Sequence, residues 1–139
     1  MYMLDTNVLI AMFKGQYGIQ EKINTVGFDR CLVSELSIAE LYVGLYKDVF
    51  GKASPGRISA KEKQIRFVED RFETLPFLGN AQTYGRVRAK LEADGIRISD
   101  MDLLIGCSAL DAGCTLVTNN IRHLSRIPGL AIEDWFPGR

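Results

Sequence analysis

At 139 residues the chain is the size of one domain, and its 47% hydrophobic and 24% charged residues describe an ordinary globular protein, neither disordered nor fibrous. Basic and acidic residues both number 17, so the net charge is zero, which argues against a protein that coats nucleic acid through bulk basic charge. No apolar run approaches the roughly 20 residues of a membrane-spanning helix. The first charged side chain is the acid Asp5, unlike a secretory leader, and Cys31, Cys107 and Cys114 lack CxxC spacing, which points to reduced thiols in a cytoplasmic protein.

Short apolar runs alternate with longer helix-like stretches, a pattern that predicts an α/β fold with a mainly parallel sheet flanked by helices. Residues 2–4 form a first strand, followed by the capping types Asp5, Thr6 and Asn7 and a helix over 8–13. A short helix over 19–26 and a strand over 31–33 come next, and Ser34 or Ser37 opens the helix after them. In that helix Ile38, Leu41, Tyr42, Leu45 and Val49 make one apolar stripe and Ala39, Val43, Tyr46 and Phe50 another, so it is expected to be largely buried. Glu40 is the only charge between Ile38 and Tyr46, and Gly44 lies one turn further on.

Residues 51–56, with Pro55, form a loop-like break, and residues 58–72 a surface helix. Residues 75–77 predict a short strand, confined to a sheet edge because Pro76 has no N–H for a ladder. A helix over 81–93 closes at Gly95 and one over 99–112 at Gly113. A strand over 115–117, a helical turn capped by Thr118-Asn119-Asn120 and a last strand over 130–132 complete the chain.

Asp5, Glu40 and the Asp100/Asp102 pair all fall at or near helix starts, most of them just after a strand. In an open parallel sheet such positions share the edge where ligands bind. Carboxylates converging there repel one another unless a cation intervenes, and magnesium or manganese suits an all-oxygen donor set. Each acid also has a plain alternative. Ser37-Ile38-Ala39-Glu40 and Ser99-Asp100-Met101-Asp102 both have capping-box spacing, and acids complement helix N-termini. Pattern alone leaves both readings open.

Met3-Leu4-Asp5-Thr6-Asn7-Val8-Leu9-Ile10, then Ile38-Ala39-Glu40-Leu41-Tyr42-Val43-Gly44, then Ile98-Ser99-Asp100-Met101-Asp102-Leu103-Leu104-Ile105-Gly106, then Leu116-Val117-Thr118-Asn119-Asn120 and Ile127-Pro128-Gly129-Leu130 arrive in order along almost the whole chain. This series resembles the PIN-domain ribonucleases, specifically the VapC-type toxins of bacterial toxin–antitoxin pairs. The resemblance implies a PIN-like α/β/α sandwich over residues 1–139 and a metal-dependent endoribonuclease leaving 5′-phosphate and 3′-hydroxyl ends. It places Asp5, Glu40 and Asp102 on the family's three metal-holding acids. Asn120 stands where many PIN domains have a fourth acid, which lowers the expected affinity for a second ion. Thr6, Asn7 and Thr118 would orient carboxylates and waters, with Asp100 an auxiliary charge or cap. The implied partners are Mg2+ or Mn2+, an RNA substrate such as tRNA, a VapB-type antitoxin and a second copy in a homodimer.

Arg88 falls on the apolar face of its helix with Tyr84, Val87 and Leu91, so it either pairs with a structural carboxylate or reaches a substrate phosphate. Lys61, Lys63, Arg66, Arg71, Arg86, Arg122 and Arg126 are interrupted by acids and define no binding surface. His123, the sole histidine, is read as a surface or packing residue. Two rivals remain. A phosphotransferase using Asp5 as nucleophile, as in haloacid-dehalogenase-like enzymes, needs a second acid two residues on, where this chain has Asn7. A non-catalytic PIN-like binding module draws its support from Asn120 and is opposed by the intact Asp5, Glu40 and Asp102.

Overall fold

The computed structural model describes residues 1–77 and 81–137. Five strands, β1 (Tyr2–Leu4), β2 (Cys31–Ser34), β3 (Glu73–Leu75), β4 (Thr115–Val117) and β5 (Ile132–Glu133), form one sheet in the order β3-β2-β1-β4-β5. Every pairing is parallel, with Leu4 opposite Val33 on one side and Val117 on the other. Parallel strands need long crossovers, and these are helical. Helices α1 (Thr6–Phe13) and α2 (Ile19–Val26) join β1 to β2, and α3 (Glu35–Phe50) and α4 (Pro55–Arg71) join β2 to β3. Helices α5 (Ala81–Ala93) and α6 (Asp100–Asp111) carry the chain back to β4, and the short α7 (Ile121–Leu124) leads to β5.

The three inner strands are apolar without alternation because both sheet faces are covered. Leu4, Val33 and Val117 point into a core shared with α1 to α4, which Trp135 and Phe136 close. Met3, Leu32 and Leu116 point into a second core with α5, α6 and Leu124 and Ile127. The expected mainly parallel α/β architecture is therefore observed, and the helices over 19–26 and 81–93 have the bounds read from the sequence. Gly95 and Gly113 follow helices with φ of 71° and 66°, the left-handed conformation that glycine adopts without steric cost.

Of the two serines offered, Ser34 caps α3, its hydroxyl accepting from the Leu36 N–H, so Ser37 lies inside the helix and Glu40 has no capping role. Four expectations are corrected. The second stripe of α3 is not buried: Val43, Tyr46 and Phe50 are 54%, 51% and 82% exposed. Only one face of α3, marked by Ile38 and Leu45, meets the core, and hydropathy cannot tell a face turned inward from one turned outward. The loop-like break ends at Ser54, which caps α4 with Pro55 in its first turn, where a missing N–H costs nothing. The edge strand spans Glu73–Leu75, so Pro76 ends the strand without interrupting it, and the last strand begins only at Ile132.

Candidate active site

Strand order reverses between β1 and β4: from β1 the chain builds outward to β2 and β3, then returns to the other side. Ligands of open parallel sheets bind beyond the strand C-termini at such a reversal. Asp5 leaves β1 and Thr118 leaves β4 at this point, and the Asp5 N–H donates to Val117 O at 2.9 Å, extending the ladder into the site.

Asp5 is the N-cap of α1 and is 4% exposed. Its Oδ1 accepts from the Thr6 N–H at 2.8 Å, and its Oδ2 accepts from Thr118 Oγ1 at 2.8 Å. Burial pushes its carboxyl pKa above the ordinary value; the Thr118 and Thr6 hydrogen bonds oppose that rise, and the negative charges of Asp102 and Glu40 add to it. Asp5 thus senses both other acids. Thr6 Oγ1 donates to Glu40 Oε1 at 2.6 Å and lies 3.0 Å from the fully buried Ser37 Oγ. Asp102 sits in the first turn of α6, where its N–H donates to the capping Ser99 Oγ at 3.2 Å. Its carboxylate does not turn back on the cap; Oδ2 accepts from Asn120 Nδ2 at 3.1 Å. The Asn120 N–H donates to Thr118 Oγ1 at 3.0 Å, and Asn7 Nδ2 donates to Asn119 Oδ1 at 3.2 Å. The loop after β4 therefore ties together the elements that carry Asp5 and Asp102.

The donor set is all oxygen and open. Among the described residues no three Asp, Glu, His or Cys side chains stand close enough to cage an ion by themselves. None of Asp5, Glu40 and Asp102 is ion-paired to a basic side chain among the described residues. The like charges of Asp102 and Glu40 acting on Asp5 are what a hard, oxygen-preferring cation would relieve.

Arg88 and Asp100 pair with each other. Arg88 also donates to Ile98 O at 3.1 Å and lies over the Tyr84 ring, so its guanidinium holds down the segment entering α6. The structural-carboxylate reading of Arg88 is the observed one, and Asp100 is its partner. Other basic candidates are engaged as well: Lys61 with Asp48 at 2.7 Å, Arg66 with Glu62 at 3.7 Å, and Arg71 stacked on Phe28 at 4.4 Å. Beside Glu40 and Gly44 opens a cleft of about 410 Å³ with Ile10, Phe13 and Leu41 in its walls and Lys14, Arg57 and Lys61 around it. Sequence reasoning missed the contact of Ser37 with Thr6, Ser37 having been read only as a possible cap, and the contact of His123 with Asn120, one helical turn apart.

The chain matches the family model of the PIN domain over residues 2–130. It belongs to the PIN-domain family. Within that family it is similar to VapC ribonucleases: it is 33% identical to the tRNA(fMet)-specific endonuclease VapC of Salmonella typhimurium, covering 96% of this chain and 97% of that protein. Identity to the ribonuclease VapC2 of Haemophilus influenzae is 32%, with the same coverage. The solved VapBC2 complex of Rickettsia felis, bound to a fragment of its promoter DNA, superposes with a TM-score of 0.81 at 30% identity, covering 96% of this chain and 98% of that one. In this PIN domain the three cysteines are buried, and burial pushes Cys31 and Cys107 up to about 11, so none is a ready thiolate nucleophile. No helix among the described residues is long and apolar enough to cross a membrane.

Proposed function

We propose that this PIN domain is an endoribonuclease of the VapC kind that hydrolyses RNA phosphodiester bonds with Mg2+ or Mn2+ held by Asp5, Glu40 and Asp102. The observation that carries the reading is the buried Asp5 carboxylate, raised by burial and by the like charges of Asp102 and Glu40, at the strand-order reversal. That arrangement is unfavourable for a resting protein and favourable once a cation enters. A divalent ion bound there supplies Lewis acidity toward the scissile phosphate and lowers the pKa of a water.

The chain's own groups do the rest. Thr118 and the Thr6 N–H hold the two Asp5 oxygens in fixed directions, and the Thr6 hydroxyl does the same for Glu40. Such partners fix ligand geometry and raise affinity. Asn120 holds Asp102 in the same way. The substrate is RNA, with tRNA preferred by analogy to the tRNA(fMet)-specific relative. A VapB-type antitoxin is the proposed partner, in keeping with the VapBC complexes among similar structures, and a homodimer is the proposed assembly. Such an enzyme would work in the cytoplasm, where tRNA is found.

The test is cleavage of bulk tRNA by the purified chain with millimolar Mg2+ or Mn2+. Cleavage is expected, and it should stop on chelation and in Asp5→Ala. A folded wild-type chain that cuts no RNA at any concentration of either metal is instead a binding module.

A further inference from the structure

His123 is an exposed residue of α7, yet its Nδ1 lies 2.8 Å from Asn120 Oδ1. The other end of the same amide faces Asp102 Oδ2 at 3.1 Å. These two contacts fix each other. Asn120 presents its NH2 group to Asp102, donating from Nδ2. The amide oxygen must then face His123, and an amide oxygen only accepts, so Nδ1 of His123 carries a hydrogen. The backbone supports the same geometry: the Leu124 N–H donates to Asn120 O at 3.2 Å, closing the helical turn that brings position 123 over position 120. Through its own N–H to Thr118 Oγ1, Asn120 also reaches the hydroxyl that donates to Asp5 Oδ2.

We infer that His123 is a positioning residue: by donating from Nδ1 to the Asn120 carbonyl it keeps the Asn120 NH2 turned toward Asp102, so the Asn120 side of Asp102 is closed by a donor and the site takes one divalent ion. The inference rests on the metal-dependent reading above and sets its stoichiometry. Asparagine with its oxygen turned inward would add an oxygen ligand next to Asp102. With its nitrogen inward it adds a partial positive charge, which repels a second cation at that place and steadies the Asp102 carboxylate for the first. Without His123 the Asp102 carboxylate alone orients the amide, and both effects weaken.

Three measurements on the full chain test this. In the metal-free protein, nitrogen NMR of the imidazole should show His123 protonated at Nδ1; a neutral ring protonated only at Nε2 overturns the inference. Mn2+ titration followed by EPR of the free ion should give one ion per wild-type chain. In His123→Ala the affinity should fall on the order of tenfold, the lower end for groups that orient a ligand. His123→Asn, whose amide nitrogen can stand where Nδ1 stood, should restore most of it, and Asn120→Asp should bind a second Mn2+. Two ions bound by the wild type, or an unchanged affinity in His123→Ala, removes the inference while leaving a ribonuclease that still cuts tRNA. A wild type that neither binds Mn2+ nor cuts removes the metal-dependent reading itself, and the one-ion site with it.

Discussion

The carboxylate of Asp5 is held by donors on both oxygens yet titrates above its ordinary value of 3.8, because burial outweighs those bonds and two neighbouring acids add to it. The sign of its effect on stability follows. A carboxyl whose folded pKa exceeds its unfolded one costs the folded state when it ionises. That cost is absent below the unfolded value, grows as pH rises toward the folded one, and is complete above it. Asp5→Asn should therefore raise the melting temperature of the metal-free protein at pH 7, with the gain shrinking as pH falls toward 4, while RNA cleavage is lost. Thermal unfolding at a series of pH values checks this, and a wild type more stable than Asp5→Asn at pH 7 without metal contradicts it. A residue retained against stability in this way is what a working site requires. Thr6 and Ser37, both buried, show the same economy of placement, since each spends its hydroxyl within reach of Glu40 or its partner.

Helix α6 delivers Asp102, and three features fix its position. Ser99 caps it, Arg88 grips the segment just before it, and Gly106 lets the residues after α7 pack against it. A methyl group at Gly106 would stand 2.5 Å from Ile127 Cδ1 and 3.3 Å from Leu124 Cδ2, both in side chains buried in the second core. That close approach sets the distance between α6 and α7, and so between Asp102 and Asn120. Gly106→Val should cost about 1–3 kcal/mol of stability by overpacking, read by denaturant unfolding. It should also reduce Mn2+ affinity, because moving α7 stretches the hydrogen bond from Asn120 to Asp102. Helix α3 is the element whose environment was misjudged. Its apolar residues on two faces suggested burial, but the inward face alone meets α1, α4 and the sheet, while Tyr42, Tyr46 and Phe50 line up on the outside with ring centroids 6.4 Å apart.

For the whole molecule, the order β3-β2-β1-β4-β5 places β1 at the centre and its C-terminus beside that of β4. This single topological fact brings together Asp5 and Thr118, which lie 113 residues apart. A site assembled from such distant segments exists only in the folded chain, so its cation should bind the native state and not the unfolded one. Ligand at about one hundred times its dissociation constant then stabilises by about 2.7 kcal/mol. Mn2+ or Mg2+ should raise the melting temperature of the wild type and leave that of Asp5→Asn nearly unchanged. Equal shifts in both proteins would place the ion elsewhere.

The alternation of short apolar runs with helical stretches was enough to give a mainly parallel α/β sheet, because strands buried on both faces must be apolar throughout and their crossovers must be long. Asp5, Glu40 and the Asp100/Asp102 pair stood out by their places near helix starts, while the family resemblance alone singled out Asp102 and Asn120. The sequence could not say whether a serine three residues before an acid is its cap, and left Ser34 and Ser37 as alternatives, between which the fold chooses Ser34. Nor could it choose a partner for Arg88, turn the outer stripe of α3 toward solvent, or show that the Asn120 amide is held between Asp102 and His123. Those outcomes depend on contacts between segments far apart along the chain, and on the direction of a single amide, which local pattern does not encode.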